Sequence, residues 1–349
     1  MSEVRNNPLG VEGFEFVEYA APDGQLLHDL FRSMGFSPIA RHKRFDITLY
    51  RQGDINFLVN EQPDSFAANF AREHGPCCVG FALRVEDAQT AYASTMANGA
   101  VSMTDVSPVA LNGPRIEGIG GSILYLADRN HGSVWEDEYE LIEGADPFPD
   151  GFGMTFIDHL THNVYHGNMD EWADFYTRLF GFYEVRYFDI KGQQTGLTSR
   201  AMTSPTGVIS IPINQSSDPK SQINEYLDQY RGEGVQHIAL YTNDVYGTVE
   251  AMHEAGIEFL DTPDTYYEII DRRIPEHGED LERMRRNRIL IDADEETKKK
   301  LLLQIFTKTN IGPIFFEIIE RKGNKGFGEG NFTALFESIE LDQMRRGVL

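Results

Sequence analysis

A chain of 349 residues, 41% apolar and 25% charged, has the length for two domains each able to bury a core, and the composition of an ordinary globular protein. Its net charge of −24, from 31 basic and 55 acidic residues, repels phosphate backbones and excludes nucleic acid as a natural partner. No apolar run approaches about eighteen residues and no basic-then-apolar leader is visible, while the only two cysteines, Cys77 and Cys78, are adjacent and poorly placed to pair, so we expect no membrane span and a reducing, cytoplasmic setting.

In chain order, GFEFVEYAAP (13–22) reads as a strand, GQLLHDLFRSMGFSPIARH (24–42) as a helix ending at Gly-Phe and an extended run, and CVGFALRVEDAQTAYASTMANGAVSM (78–103) as a strand and a second helix. GGSILYLADR (120–129) is a further strand, and EGADPFPDGFG (143–153), with two prolines and three glycines, reads as a linker. The pattern then repeats. DHLTHNVYHG and MDEWADFYTRLFGFYEVRYF (169–188) give strand, helix, Gly-Phe and strand, with Gly181 lying 146 residues after Gly35. GVQHIALYTNDVYGTVEAMHEAGIEF (234–259) matches the segment at 78–103, with Asp244 and Gly256 each 157 residues after Asp87 and Gly99. IGPIFFEIIER (311–321) matches 120–129 at an offset of 191 if Gly312 is set on Gly121. Two copies of strand–helix–strands, taken twice, predict an α+β chain of two tandem units, 1–150 and 151–349, each a strongly curved, open mixed β-barrel of paired βαβββ modules with helices outside. The growing offset places an insertion of about 34 residues within 264–300 of the second copy, where a functional site is often elaborated.

At these offsets three strand positions hold His159, His237 and Glu317 in the second copy and Gly13, Gly80 and Leu126 in the first. Two imidazoles and a carboxylate converging from three strands form a facial triad, the donor set of non-haem Fe(II) sites with open positions. Leu160, Asn163, Val164 and Tyr165 favour a strand for HLTHNVYH, so His159 and His162 face opposite ways and only one of them can enter the barrel. The remaining histidines, His28, His42, His74, His131, His253 and His277, read as surface or core residues. In LLLQIFTK (301–308) and PIFFEIIER (313–321), alternation places Gln304 with Phe306 and Phe315 with Glu317. KGFGEGNFTALFESIELDQMRRG then gives a glycine-rich joint and an amphipathic helix through Phe332, Leu335, Phe336 and Ile339, placed to act as a C-terminal lid.

The motifs DHLTHNV, GVQHIAL, LLLQIFTK, FFEIIERKG and GFGEGNFTALFESIE resemble the bacterial 4-hydroxyphenylpyruvate dioxygenase family of the vicinal-oxygen-chelate superfamily. The resemblance implies one Fe(II) per subunit on His159, His237 and Glu317, with 4-hydroxyphenylpyruvate and O2 as substrates, homogentisate as product and a role in tyrosine catabolism. It carries catalytic roles to Gln304, Asn214 and Gln222, and substrate contacts to these three together with Ser199, Gln236, Phe306, Phe315, Phe327 and Phe332. Strict alternation points Gln236 away from His237. A homo-oligomer, dimer or tetramer, is expected. The alternatives are 4-hydroxymandelate synthase, which shares the substrate and donor set, an extradiol ring-cleaving dioxygenase, for which His162 faces the wrong way to serve as acid–base, and a non-catalytic binding protein of the same fold.

Overall fold

The computed structural model describes residues 7–129, 134–191 and 196–331. The first half contributes β1 (Gly13–Ala20), β2 (Ser37–His42), β3 (Ile47–Gln52), β4 (Ile55–Asn60), β5 (Cys77–Arg84), β6 (Arg115–Glu117), β7 (Ile123–Ala127) and β8 (Tyr139–Leu141). The second contributes β9 (Met154–Asn163), β10 (Tyr183–Lys191), β11 (Gly196–Thr203), β12 (Ser210–Gln215), β13 (Gly234–Thr242), β14 (Leu290–Ala293), β15 (Leu301–Phe306) and β16 (Phe315–Lys322). They form two eight-stranded mixed sheets, ordered β6-β7-β5-β1-β4-β3-β2-β8 and β10-β11-β12-β9-β13-β16-β15-β14. Setting β1, β5 and β7 against β9, β13 and β16 superimposes the two orders, with β8 and β14 as extra edge strands. The duplicated fold is that expected from the repeat.

The repeated letters have local causes. Asp87 and Asp244 are the N-caps of the helices Ala88–Ala97 and Val245–Glu254, accepting from the backbone N–H of Thr90 and of Gly247. Each such cap is worth about 1 kcal/mol. Gly181 closes the helix Met169–Phe180 in the left-handed region, at φ 70°, where a side chain would be strained.

Helices and the partner half cover the convex face of each sheet, and the concave face is left for a site. Separate cores were expected, but one continuous apolar core runs through both halves. Phe57 meets Phe316 at 5.9 Å between ring centroids, Phe81 meets His162 at 6.0 Å, and His74 stacks on Tyr230 at 4.6 Å. The two halves thus bury apolar side chains against each other. The insertion forms three short helices (Asp264–Glu268, Ile270–Arg273, Leu281–Arg286) and the edge strand β14. Among the described residues no helix is long and apolar enough to cross a membrane.

Candidate metal centre

β9, β13 and β16 lie side by side, and their registers bring the three expected donors together. Ala239 of β13 pairs with His159 on one side and Glu317 on the other. Its small, fully buried side chain lies between those two residues on the same face. His237 lies two residues earlier on the same face, opposite Thr161 and Phe315. His159 Nε2 is 3.3 Å from His237 Nε2 and 3.2 Å from Glu317 Oε2, and His237 Nε2 is 3.4 Å from that same oxygen. Donors bound at about 2.1 Å lie about 3 Å apart when mutually cis and about 4 Å apart when trans. All three separations are of the cis kind, so the set caps one face of an octahedron and fits a metal ion with open positions opposite. Among the described residues this is the group of three His, Cys, Asp or Glu side chains arranged to hold a metal.

Both imidazoles are aimed by neighbours, and the aiming residues sit on β-bulges. His159 pairs with Ala239 but Ile157 with Leu240, so Asp158 is the extra residue in β9. Its Oδ1 accepts from His159 Nδ1 at 2.8 Å, leaving Nε2 for the centre. Arg321 grips the same carboxylate twice, at 2.7 Å each. The second bulge, between Val235 and His237, makes Gln236 the extra residue of β13. Gln236 therefore lies beside His237 rather than opposed to it, and its Oε1 accepts from His237 Nδ1 at 3.0 Å. Bulges of this kind re-aim side chains next to sites, and a hydrogen-bonded Nδ1 fixes the imidazole tautomer a metal needs.

The electrostatics follow from burial and proximity. Burial opposes a charge on His159, but Glu317 and Asp158 outweigh it and hold its pKa up at about 9. Burial pushes Glu317 up, but the two imidazoles bring it down to about 2. His237 is lowered, burial prevailing over Glu317. Burial also works against Asp158, and Arg321 overrides it, holding the carboxyl well below its usual range. Without a cation, His159 thus holds a proton against the ionised Glu317 at the point a metal would occupy.

Around this centre Phe315 stacks on His237 at 4.9 Å, Phe306 stands edge-on to it at 6.4 Å, and Phe327 approaches His159 at 5.6 Å. Gln304 is buried beneath Gly328, with its Oε1 unbonded. Ser199 and Asn214 are paired across β11 and β12 and both buried, and Asn214 Nδ2 donates to Asn163 Oδ1 at 3.4 Å. Gln222 is not brought in. It is exposed on the first turn of the helix Gln222–Tyr230, whose Ser221 cap turns Ile223, Tyr226, Leu227 and Tyr230 inward instead. Phe332 and the lid helix after it fall outside the described residues. His162 faces the opposite way, as expected, 2.7 Å from the Tyr176 hydroxyl.

Reading the ladders corrects two of the three repeat matches. Phe16 pairs with Ala82 as His159 does with Ala239, and Tyr125 pairs with Ala82 as Glu317 does with Ala239. The counterparts of the donors are therefore Phe16, Gly80 and Tyr125, not Gly13, Gly80 and Leu126. Phe16 and Tyr125 fill the first centre ring against ring at 5.0 Å, and the Tyr125 hydroxyl donates to the buried Glu18 at 2.7 Å. Asp158 and Arg321, given no supporting role by the residue pattern, have counterparts at Glu15 and Arg129, which also contact each other, at 3.3 Å. Alternation from Glu317 through Ile319 reaches Arg321, and that was the available signal.

Residues 5–140 match the family model for the N-terminal part of hydroxyphenylpyruvate dioxygenase, and residues 156–268 match the glyoxalase/bleomycin resistance protein/dioxygenase superfamily. Hemolysin VllY of Vibrio vulnificus is 55% identical, over 98% of this chain and 98% of its own. The 4-hydroxyphenylpyruvate dioxygenase of Legionella pneumophila strain Corby is 52% identical, over 99% of this chain and 98% of its own. Among solved structures, a xylose isomerase-like TIM barrel/4-hydroxyphenylpyruvate dioxygenase fusion protein superimposes with a TM-score of 0.82 at 30% identity, covering 96% of this chain and 54% of that one.

Proposed function

This chain belongs to the 4-hydroxyphenylpyruvate dioxygenase family, and from that premise we propose that it converts 4-hydroxyphenylpyruvate and O2 to homogentisate and CO2, with one Fe(II) per subunit held by His159, His237 and Glu317. The observation that carries this reading is the buried facial set with each imidazole aimed by its own acceptor. Ferrous iron, when bound, supplies the electrons that activate O2 and the open positions that a 2-oxo acid can chelate.

The protein's part is binding, orientation and exclusion of water. Phe306, Phe315 and Phe327 form an apolar cage for the aromatic ring. The unbonded Gln304 Oε1 is an acceptor, and the unbonded Asn163 Nδ2 beside Asn214 is a donor, for the phenol and the side chain of the substrate. Ser199 completes the polar end, and Gln236 acts on His237 rather than on substrate. The side-chain carboxylate leaves as CO2, one oxygen atom completes the shortened carboxylate, and the other enters the ring at the carbon bearing the side chain, which moves to its neighbour.

Two free buried cysteines accord with a cytoplasmic enzyme of tyrosine breakdown. Val185 and Tyr187, exposed on the free edge strand β10, support assembly as a homo-oligomer of two or four copies, measurable by light scattering. The test of the function is anaerobic reconstitution with Fe(II), addition of 4-hydroxyphenylpyruvate and air, and identification of the product. Homogentisate with matched oxygen uptake, abolished in His237→Ala, is expected; hydroxymandelate, or ligand binding without oxygen uptake, would overturn it.

A further inference from the structure

The first half keeps the scaffold of a site without the metal donors, and its concave face encloses a cavity of about 510 Å³. Ile39, Leu49, Trp135 and Tyr139 form its walls, while Leu141 and Phe148, 59% and 75% exposed, make an apolar mouth open to solvent. The other end is charged. Arg84 and Arg129 both contact Glu15, at 2.5 and 3.3 Å, and both contact Asp54, at 3.1 and 3.2 Å. Two cations and two anions therefore form a closed, neutral set.

Arg51 stands outside that set. Its Nε donates to Asn56 Oδ1 at 2.7 Å and its Nη1 to the Pro147 carbonyl at 3.0 Å, both neutral acceptors. Among the described residues no carboxylate lies within ion-pair distance of it. Glu136, on the cavity rim, is exposed and solvated. Arg51 is partly buried, and this burial lowers its pKa although Glu15 and Asp54 act the other way. A guanidinium that has lost water without gaining an anion is a costly arrangement that a carboxylate would relieve. Phe148 lies against it, with the guanidinium 5.8 Å from the ring centroid.

We propose that this cavity is a second small-molecule site, separate from the metal centre, for an amphipathic monocarboxylate of the aryl or arylalkyl class. The carboxylate accepts from Arg51, and the ring lies between Leu49, Trp135 and Tyr139. The volume is within the range of about 300–1,000 Å³ typical of small-ligand pockets. The site requires neither metal nor a 2-oxo group, so the inference stands apart from the catalytic reading.

The probe is 4-hydroxyphenylacetate, which lacks the 2-oxo group needed to chelate. The chain has two tryptophans, and Trp172→Phe leaves Trp135, in the cavity wall, as the sole indole reporter. Titration of this full-length variant should give a saturable fluorescence change. Arg51→Met should raise the dissociation constant at least about tenfold. Leu141→Glu, an exposed position that does not threaten folding, should do the same by placing an acid at the mouth. His237→Ala should leave binding unchanged. A flat titration, a constant unaffected by either cavity variant, or binding lost in His237→Ala would overturn the proposal.

Discussion

Asp158 and Gln236 do for the two imidazoles what neither histidine can do alone, choosing the tautomer and the ring plane. Asp158→Asn, which can turn a donor toward His159, and Gln236→Ala should each weaken metal binding by about 10–100-fold with the fold intact. Competition of Co(II) with a chelator measures this, and unchanged affinity in both variants would show that the bulges have no aiming role. His162, on the opposite face, has a different consequence. Burial lowers its pKa to about 3, from an ordinary 6.5. The unfolded chain thus takes up this proton near pH 6.5 and the folded chain only near pH 3. Its contribution is fully present above pH 6.5 and is lost as pH falls toward 3, at up to about 1.4 kcal/mol per pH unit. Between pH 6.5 and 5.5 the urea stability of His162→Asn should fall by about 1 kcal/mol less than that of the parent; equal slopes would mean that His162 is not a buried neutral group.

At the scale of elements, the segment 324–331 is bolted down at both ends. Arg321, while holding Asp158, also donates to the Gly326 carbonyl at 2.7 Å. From the insertion, Asp292 accepts from the Gly330 N–H at 3.0 Å, Arg273 donates to the Gly330 carbonyl at 2.9 Å, and the Tyr266 hydroxyl donates to Asn331 at 2.6 Å. Between the bolts Gly328, at φ +80°, lies on the Gln304 amide, and a Cβ there would overlap it. Gly328→Ala should therefore lower kcat/KM at least about tenfold while the melting temperature moves by only a few degrees. A normal kcat/KM would separate this segment from the site. The repeat made the donors legible, even with two of the three counterparts set one strand position or more away, and alternation added which residues share a face. The bulges were not legible, since an extra residue is defined only by the partner strand, and Gln236 was accordingly turned the wrong way. The slip from Phe16 to Gly13 has an equally local origin: Met169–Phe180 spans 12 residues where its counterpart Gln25–Ser33 spans 9, so an offset taken at the helix end is three too large in the strand before it. Gln222, which only the resemblance pointed to, sits at a capped helix start that turns its side chain outward.

At the scale of the molecule, the first half serves as part of the second half's interior. Tyr230 packs on His74 and donates to the Cys78 carbonyl at 3.3 Å, and Phe316 packs on Phe57. Residues 152–349 alone would expose the convex face of their sheet, an apolar surface of the kind that drives aggregation. Expressed separately, they should give no cooperative unfolding transition and no stoichiometric metal binding. A monomeric fragment that melts cooperatively and binds one metal would show the halves to be independent.

The paired bulges recur in the half that has no donors. Glu15 and Val79 are the extra residues of β1 and β5, at the positions that Asp158 and Gln236 hold in β9 and β13. A bulge breaks the ladder and earns its place beside a site, yet these two have no imidazole to aim. In the first half they carry other loads, Glu15 holding Arg84 and Arg129 while Val79 packs into the shared core. These supports do not suffice to build a metal site there, for a side chain at Gly80 would run into the Ile123 carbonyl. A chain carrying Phe16→His, Gly80→His and Tyr125→Glu together should accordingly bind no second equivalent of Co(II), and a second equivalent bound would show that the Gly80 contact can yield.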